Sequence, residues 1–282
     1  MSVPPTILSE TTGWHGQLQL SFARQADKTR PTQVQTAAPL RLQRPFYPEG
    51  KVCHSVIVHT AGGMVGGDRL SLDLRLQPES QALVTTAAAN KVYRSDGPVV
   101  QQQVQLNLAP QTCLEWFPQE TIIFNGAQYQ QSTRIELAPG AVWLGWDITR
   151  FGRSARGEQF LSGHWRSHLE VWRQGQPLWL DRQFLAGGSE VLRSPHGLNG
   201  HPVIGSLVLL GYTPTEAQLA ALRDCPTPSA GDVGVTTLMD GVLCRYRGRS
   251  SQAARAWFIS LWQVLRPLYL QRSACIPRVW GR

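Results

Sequence analysis

Alternation of apolar and polar residues with a period of two is the feature that most restricts the fold of this 282-residue chain. Strands that bury one face and expose the other produce this pattern. The alternating segments contain Leu70, Leu72, Leu74 and Leu76; Val100, Gln102, Val104, Leu106 and Leu108; Ile135 and Leu137; Val142, Leu144, Trp146 and Ile148; and Leu169 and Val171. Turn-forming pairs such as Asn125-Gly126 and Pro139-Gly140 separate them. The sequence therefore predicts a mainly β protein, with its strands in a sandwich or a solenoid-like stack.

Two segments toward the C-terminus depart from this alternation and predict helices. Thr213-Pro214-Thr215-Glu216 has the pattern of a capping box with proline at the first helical position. A second helix is predicted to start near Ser250 or Ser251, and Pro267 is expected to close it. No linker divides the chain, so residues 1–282 are predicted to form one domain.

The charge pattern argues against nucleic-acid and membrane partners. The formal net charge is +8, but the basic residues are dispersed and no three are consecutive. Nucleic-acid and membrane footprints are usually clustered basic runs. Because nearly all the basic residues are arginine, bidentate ion pairs and protein interfaces are the better interpretation.

The cysteines and the N-terminus predict a soluble cytoplasmic protein. The five cysteines are odd in number and none has the spacing of a zinc site, which favours reduced thiols. Residues 1–14 lack the basic head and apolar run of a signal peptide. The best apolar stretch, Val203 to Leu210, is too short to span a bilayer.

The segment from His59 to Asp68 is the most unusual local sequence, with glycine pairs at 62–63 and 66–67. It lacks the Gly-Lys-Ser/Thr of a phosphate-binding loop, and a strand pattern follows where such a loop needs a helix. The structural interpretation is a tight turn with positive φ. The functional interpretation is that Asp68 is displayed at a crowded, glycine-lined surface or passage.

Catalysis has no support from the residues. There is no Gly-x-Ser-x-Gly elbow, and no pairing of Glu115 and Glu120 as acid and base is evident. The seven histidines have no spacing that indicates a high-affinity metal cage. The chain is therefore expected not to be an enzyme.

Three blocks in this order and spacing resemble the urease accessory proteins of the UreD (UreH) family. They are residues 59–68, the segment Thr85-Thr-Ala-Ala-Ala-Asn-Lys-Val-Tyr-Arg-Ser95, and the segment Leu114-Glu-Trp-Phe-Pro-Gln-Glu-Thr-Ile-Ile-Phe-Asn-Gly-Ala127. Further matches are residues 145–148, 151–158, Asp181-Arg182 and Pro277-Arg-Val-Trp280. The resemblance implies stacked sheets of β-helix or solenoid character with a few helices. It also implies a non-catalytic chaperone that binds apo-urease and the complex of UreF with the GTPase UreG. UreE is a further candidate partner.

The resemblance also implies that nickel reaches urease through this assembly, by a passage that has been proposed through UreD itself. On the matching motifs, Asp68, Glu120 and Asp147 are predicted to line a polar nickel passage, with Lys91 and Arg94 offsetting their charge. A few oxygen ligands would hold Ni²⁺ only transiently. No tightly bound cofactor is expected. The alternative is that these five residues form a buried structural network.

The C-terminal segment is the predicted contact with UreF. Trp262 lies beside the apolar stripe of the second helix, and Trp280 in the tail is flanked by Arg278 and Arg282, each two positions away. Two rival functions are a hydrolase and an arginine-dependent nucleic-acid binder. Neither accounts for the three ordered blocks.

Overall fold

The structure is a computed structural model that describes residues 13–153, 156–229 and 231–281. The prediction about a signal peptide concerns residues 1–14. Residues 1–12 of that segment lie outside this range. So do Ser154 and Ala155 of the block at 151–158. The prediction of one domain over 1–282 stays a prediction.

The described chain is mostly strand, with two α-helices near its C-terminal end. The strands are β1 His15–Gln25, β2 Lys28–Ala37, β3 Leu40–Leu42, β4 Cys53–His59, β5 Arg69–Leu76, β6 Gln81–Thr86, β7 Asn90–Val92, β8 Val100–Leu108, β9 Cys113–Phe117, β10 Thr121–Ile123, β11 Gln128–Leu137, β12 Val142–Phe151, β13 His164–Arg173, β14 Gln176–Ala186, β15 Val203–Leu210, β16 Gly231–Leu238 and β17 Gly241–Gly248. The helices are α1 Glu216–Arg223 and α2 Ser251–Leu270, and short 3₁₀ turns cover Glu190–Leu192 and Arg278–Trp280.

Two stacked sheets form the body. The seven-stranded sheet has the order β14-β13-β11-β8-β5-β1-β2. The ten-stranded sheet has the order β16-β17-β15-β12-β9-β6-β4-β3, with β10 and β7 beside β12. From β4 to β13 the long strands alternate between the sheets, and neighbours within each sheet are parallel. This arrangement confirms the predicted stacked sheets with β-solenoid character and the helices toward the C-terminus.

The period-two pattern places the predicted faces in the interior. Leu70, Leu72, Leu74 and Leu76 of β5 are all buried between the sheets. On β12 both faces are covered. Leu144 and Trp146 belong to a second apolar cluster under α2, and Trp143 belongs to the cluster between the sheets. The ten-stranded sheet therefore separates two different interiors.

Both helices form where predicted, with shifted ends. The N-cap of α1 is Thr215, whose capping-box partner is Gln218, so the box predicted from Thr213 is wrong by two residues. Helix α2 has Ser250 as N-cap, as predicted, but it continues past Pro267 to Leu270. Packing of α2 on the sheet extends it by one turn, and Gln271 with φ of 55° ends it. No helix of the described residues is long and apolar enough to cross a bilayer.

Candidate functional site

The glycine-rich segment is a tight turn that packs against the 85–95 block. Gly63 and Gly67 have positive φ, and a Cβ at Gly63 would approach the Lys91 carbonyl within 2.7 Å. Asp68 is buried, with 2 % of its surface exposed, and accepts hydrogen bonds from the Val65 N–H at 2.8 Å and the Trp14 N–H at 3.2 Å. Asp68 therefore fixes the turn instead of being displayed at a surface.

A space whose mainly apolar walls carry several polar groups lies between the two sheets, in two adjoining cavities of about 70 and 170 Å³. Both cavities are lined by the same five residues at their junction, namely Gln102, Trp116, Pro118, Gln119 and Thr121. Cavities of this size are large enough for ordered water where several polar groups line them. Of the three carboxylates predicted from the sequence, Asp147 lines this space, whereas Asp68 and Glu120 do not.

Asp147 is a deeply placed carboxylate whose surface borders the smaller cavity. It projects to the inner face of β12 because it follows Trp146, whose side chain points toward α2. The Gln131 amide and the Thr149 hydroxyl donate hydrogen bonds to it. Burial raises the pKa of Asp147, and the nearby Asp181 charge adds to the increase, while these hydrogen bonds lower it.

Asp181 of β14 lines the same cavity, and the sequence prediction did not include it among the site residues. It accepts hydrogen bonds from Arg245 at 2.9 Å and from the Gln183 amide at 2.8 Å. The sequence pattern that could have identified Asp181 is the alternation of Trp179, Asp181 and Gln183 on one face of β14. Two carboxylates from opposite sheets therefore face one polar space.

His59 lines the larger cavity, and its Nε2 is buried without a hydrogen-bond partner among the described residues. Burial lowers the pKa of His59, which favours the neutral imidazole, and Asp68 opposes this effect. Asn90 lines the same cavity, and its Oδ1 is also buried without a hydrogen-bond partner among the described residues. Unpaired buried acceptors in a polar cavity are sites where water or a cation gains the most.

Glu120 lies on the outer side of the ten-stranded sheet, next to the first turn of α2. It accepts a hydrogen bond from Ser251 at 3.2 Å and pairs with Arg255 at 3.7 Å. Because the turn after β9 directs this carboxylate toward the helix, the prediction that it lines the passage is not supported by the geometry.

Lys91 and Arg94 do not offset the buried acids, which corrects the predicted network. Lys91 is exposed, and Arg94 forms a surface ion pair with Asp96 at 2.9 Å, with 76 % of its own side chain exposed. Lys91 is the middle residue of the short strand β7 and Arg94 follows that strand by two residues, and both side chains extend into solvent. The five predicted residues are thus not brought together, as a passage or as a structural network.

The two tryptophans predicted to bind a partner have different positions. Trp262 is fully buried, and its indole N–H donates to Glu115 at 2.7 Å, so it presents no surface. Trp280 is half-buried, donates to the Thr85 hydroxyl at 3.0 Å and packs against the rings of Trp146 and Trp262. The C-terminal tail therefore folds back over the aromatic cluster beneath α2.

A buried ion cluster between α2 and the sheet was not predicted. Arg266, completely buried, donates to Glu115 at 2.9 Å and to Glu49 at 2.6 and 2.8 Å. His54 lies 2.6 Å from Glu49. Glu49 and His54 are five residues apart, but positions 115 and 266 are too distant in sequence for any local pattern to connect them to this pair.

Comparison with known proteins decides the family. The family model of the UreD urease accessory protein matches residues 15–281. This chain belongs to the UreD family. It is 56 % identical over 281 residues to the urease accessory protein UreD of a Nostoc species, which covers 99 % of both chains. The UreD protein of Pseudomonas fluorescens is 42 % identical over 282 residues, which is the whole of both chains. The resemblance inferred from three ordered blocks is therefore confirmed.

Proposed function

We propose that this chain is a cytoplasmic urease accessory protein that conveys Ni²⁺ toward apo-urease along the polar space between its sheets. Its relatives carry the name urease accessory protein, which supports the role in urease maturation. The observation that carries the route is the pair of adjoining cavities with Asp147, Asp181 and His59 on their walls.

The chemistry of the walls suits a cargo ion that must be released. Asp147 has no cationic partner among the described residues, and Asp181 has one, Arg245. A carboxylate in a low-dielectric interior attracts a divalent cation strongly. Isolated oxygen donors nevertheless bind Ni²⁺ more weakly than a cage of imidazole and thiolate ligands. Ni²⁺ is therefore held at each point only in transit.

Binding of UreF together with UreG is assigned in this proposal to α2 and the tail. Ile276 is 43 % exposed and Arg278 is exposed, whereas Trp280 anchors the tail and Trp262 supports it from below. The tail therefore supplies the contact, and the two tryptophans hold its shape. Truncation after Arg272 is expected to abolish co-purification with UreF, and unchanged binding would remove this part of the proposal.

The test of the passage is the nickel content of urease matured with Asp147→Asn and Asp181→Asn variants. Both changes keep the size of the side chain and remove its negative charge, although one acceptor oxygen becomes a donor. Co-expression with apo-urease and the other accessory proteins is expected to give a several-fold loss of nickel for the double variant. Asp96→Asn, at the exposed Arg94 pair, is the matched control and should mature urease normally.

Two measurements keep this test decisive. Co-purification with the partners shows that the double variant still assembles, and circular dichroism shows that it is folded. If a folded, assembled double variant delivers full nickel, the passage is wrong. If urease gains full nickel and activity without this chain at all, the accessory function itself is wrong.

A further inference from the structure

We propose that Glu49, His54 and Cys275 form a binding site for one divalent transition-metal ion of borderline softness, Zn²⁺ or Ni²⁺, which fastens the C-terminal tail to the β body. This site is separate from the space between the sheets. It lies on the α2 side of the ten-stranded sheet, where the loop before β4 meets the chain that follows α2.

The geometry brings three different ligand types together from distant parts of the sequence. One carboxylate oxygen, one imidazole nitrogen and the Cys275 sulfur all lie within 4.8 Å of one another. Around a tetrahedral ion with bonds of about 2.0–2.3 Å, ligand atoms are about 3.5 Å apart. His54 Nε2 and the Glu49 carboxylate are now hydrogen-bonded at 2.6 Å, so an ion would replace that hydrogen bond and the half-buried Cys275 side chain would move closer to complete the site.

The donor set favours a borderline ion over a hard one. Imidazole and thiolate select Zn²⁺, Ni²⁺ and related metals, whereas Mg²⁺ and Ca²⁺ prefer sites made only of oxygen. Three protein ligands leave a fourth position for water or for a group from a partner. Because Cys275 is only half-buried, an ion can reach its sulfur without unfolding the core.

The surroundings orient the ligands as supporting residues do in metal sites. Arg266 donates to both oxygens of Glu49, at 2.6 and 2.8 Å, and holds the carboxylate in place. Glu115 pairs with the same guanidinium at 2.9 Å and offsets its charge. Two carboxylates share this one guanidinium, so the cluster keeps an excess of negative charge that a cation can neutralise. The sequence predicts no tightly bound cofactor, and this site is the exception that the tertiary structure introduces.

Metal binding here would fix the tail that carries Trp280. Cys275 stands between the end of α2 and the tail, whereas Glu49 and His54 belong to the β body. An ion that binds only the folded arrangement stabilises it by mass action. The expected consequence is a tail that is held more firmly in the metal-bound protein.

The experiment is a titration of the full-length, chelator-treated chain with Co²⁺, followed by competition with Zn²⁺ and with Ni²⁺. One equivalent of Co²⁺ is expected to give a near-ultraviolet thiolate-to-cobalt charge-transfer band, which Zn²⁺ or Ni²⁺ abolishes on displacement. Cys275→Ser should lose the band and at least tenfold in affinity. Cys225→Ser, a matched change at a buried thiol elsewhere, should retain both.

The results below would overturn the site, and a last control separates it from the passage. Absence of a thiolate band in the wild-type chain, or an equal band in Cys275→Ser, shows that no such site exists. Loss of the band in Cys275→Ser supports the site only if circular dichroism shows a folded protein, and His54→Gln must then also weaken binding. Asp147→Asn should leave the band unchanged, so failure of the passage and failure of this site are distinguishable.

Discussion

The two interiors on either side of the ten-stranded sheet both bury a carboxylate, but they treat it in opposite ways. Under α2, Glu115 accepts hydrogen bonds from Trp262 at 2.7 Å, Tyr269 at 2.5 Å and the Arg266 guanidinium. Between the sheets, Asp147 receives only an amide and a hydroxyl and borders a cavity.

The difference is between a charge whose partners are complete and a charge that lacks a cationic partner. A buried charge that is fully paired has no capacity left for a ligand and contributes to a unique arrangement. A buried carboxylate without a cation carries an electrostatic cost that a visiting cation can relieve. The motifs that carry the family resemblance include residues of both regions, namely the block at 114–127 and the acidic residue at 147. How each carboxylate is compensated depends on its surroundings in the tertiary structure.

The largest expected effect lies in the paired region. Arg266→Ala would leave Glu115 and Glu49 buried without their cation, and we expect a loss of about 3–5 kcal/mol in the free energy of unfolding. Arg255→Ala, on the same helix but at a partly exposed pair with Glu120, is the control and should cost at most about 1 kcal/mol. Urea denaturation measures both. Similar losses in the two variants would show that the buried ion pairs contribute no more to the free energy of unfolding than the partly exposed pair does.

A smaller effect of opposite sign is expected in the cavity. Because burial raises the pKa of Asp147, the folded protein binds a proton more readily than the unfolded chain. Stability therefore falls as pH rises from the ordinary carboxylate value of 3.8 through the raised pKa, and the cost is fully present at higher pH. Asp147→Asn removes it and should stabilise the protein at pH 7 by on the order of 1 kcal/mol.

Thermal unfolding at several pH values checks this prediction. The gain in melting temperature of Asp147→Asn should be present at neutral pH and should vanish below the ordinary carboxylate pKa. A variant that is less stable than wild type at pH 7 would mean that the carboxylate is satisfied after all. In that case the charges of Asp147 and Glu115 would both be well compensated in the folded protein.

The smallest effect is expected at the surface pair that the sequence placed in the polar network. Arg94→Ala removes a partner of Asp96 where both side chains are mostly exposed, so stability should change by no more than about 0.5 kcal/mol. Urease nickel content should also stay at the wild-type level. A strong loss of nickel with intact folding would restore Arg94 to the passage.

Local patterns predicted the elements well where one periodicity dominates. The alternation on β5 and β8 gave their buried faces, because the side-chain period of a strand is fixed by backbone geometry. The Ser250 cap and the apolar stripe gave α2. The end of α2 was misplaced because Leu268 and Tyr269 pack against the second apolar cluster beyond Pro267. The cap of α1 was misplaced because two overlapping capping patterns occur, and Thr215 with Gln218 is the one that forms.

The candidate site was predicted only in part, for a physical reason. Asp147 was identified through its block, but Asp68 and Glu120 were assigned to the same passage although one binds its own turn and the other faces α2. Sequence spacing gives the face of a strand on which a residue lies, and it gives no information about what covers that face.

The sequence by itself determined the stacked β architecture, the two helices near the C-terminus and the family. Each depends on short-range periodicity or on ordered motifs, which are written along the chain. The tertiary structure alone decided which carboxylate meets a cation, which faces a cavity, and that Glu49, His54 and Cys275 converge. Those outcomes depend on contacts between residues as many as 226 positions apart, which form only when the sheets stack and α2 packs across them.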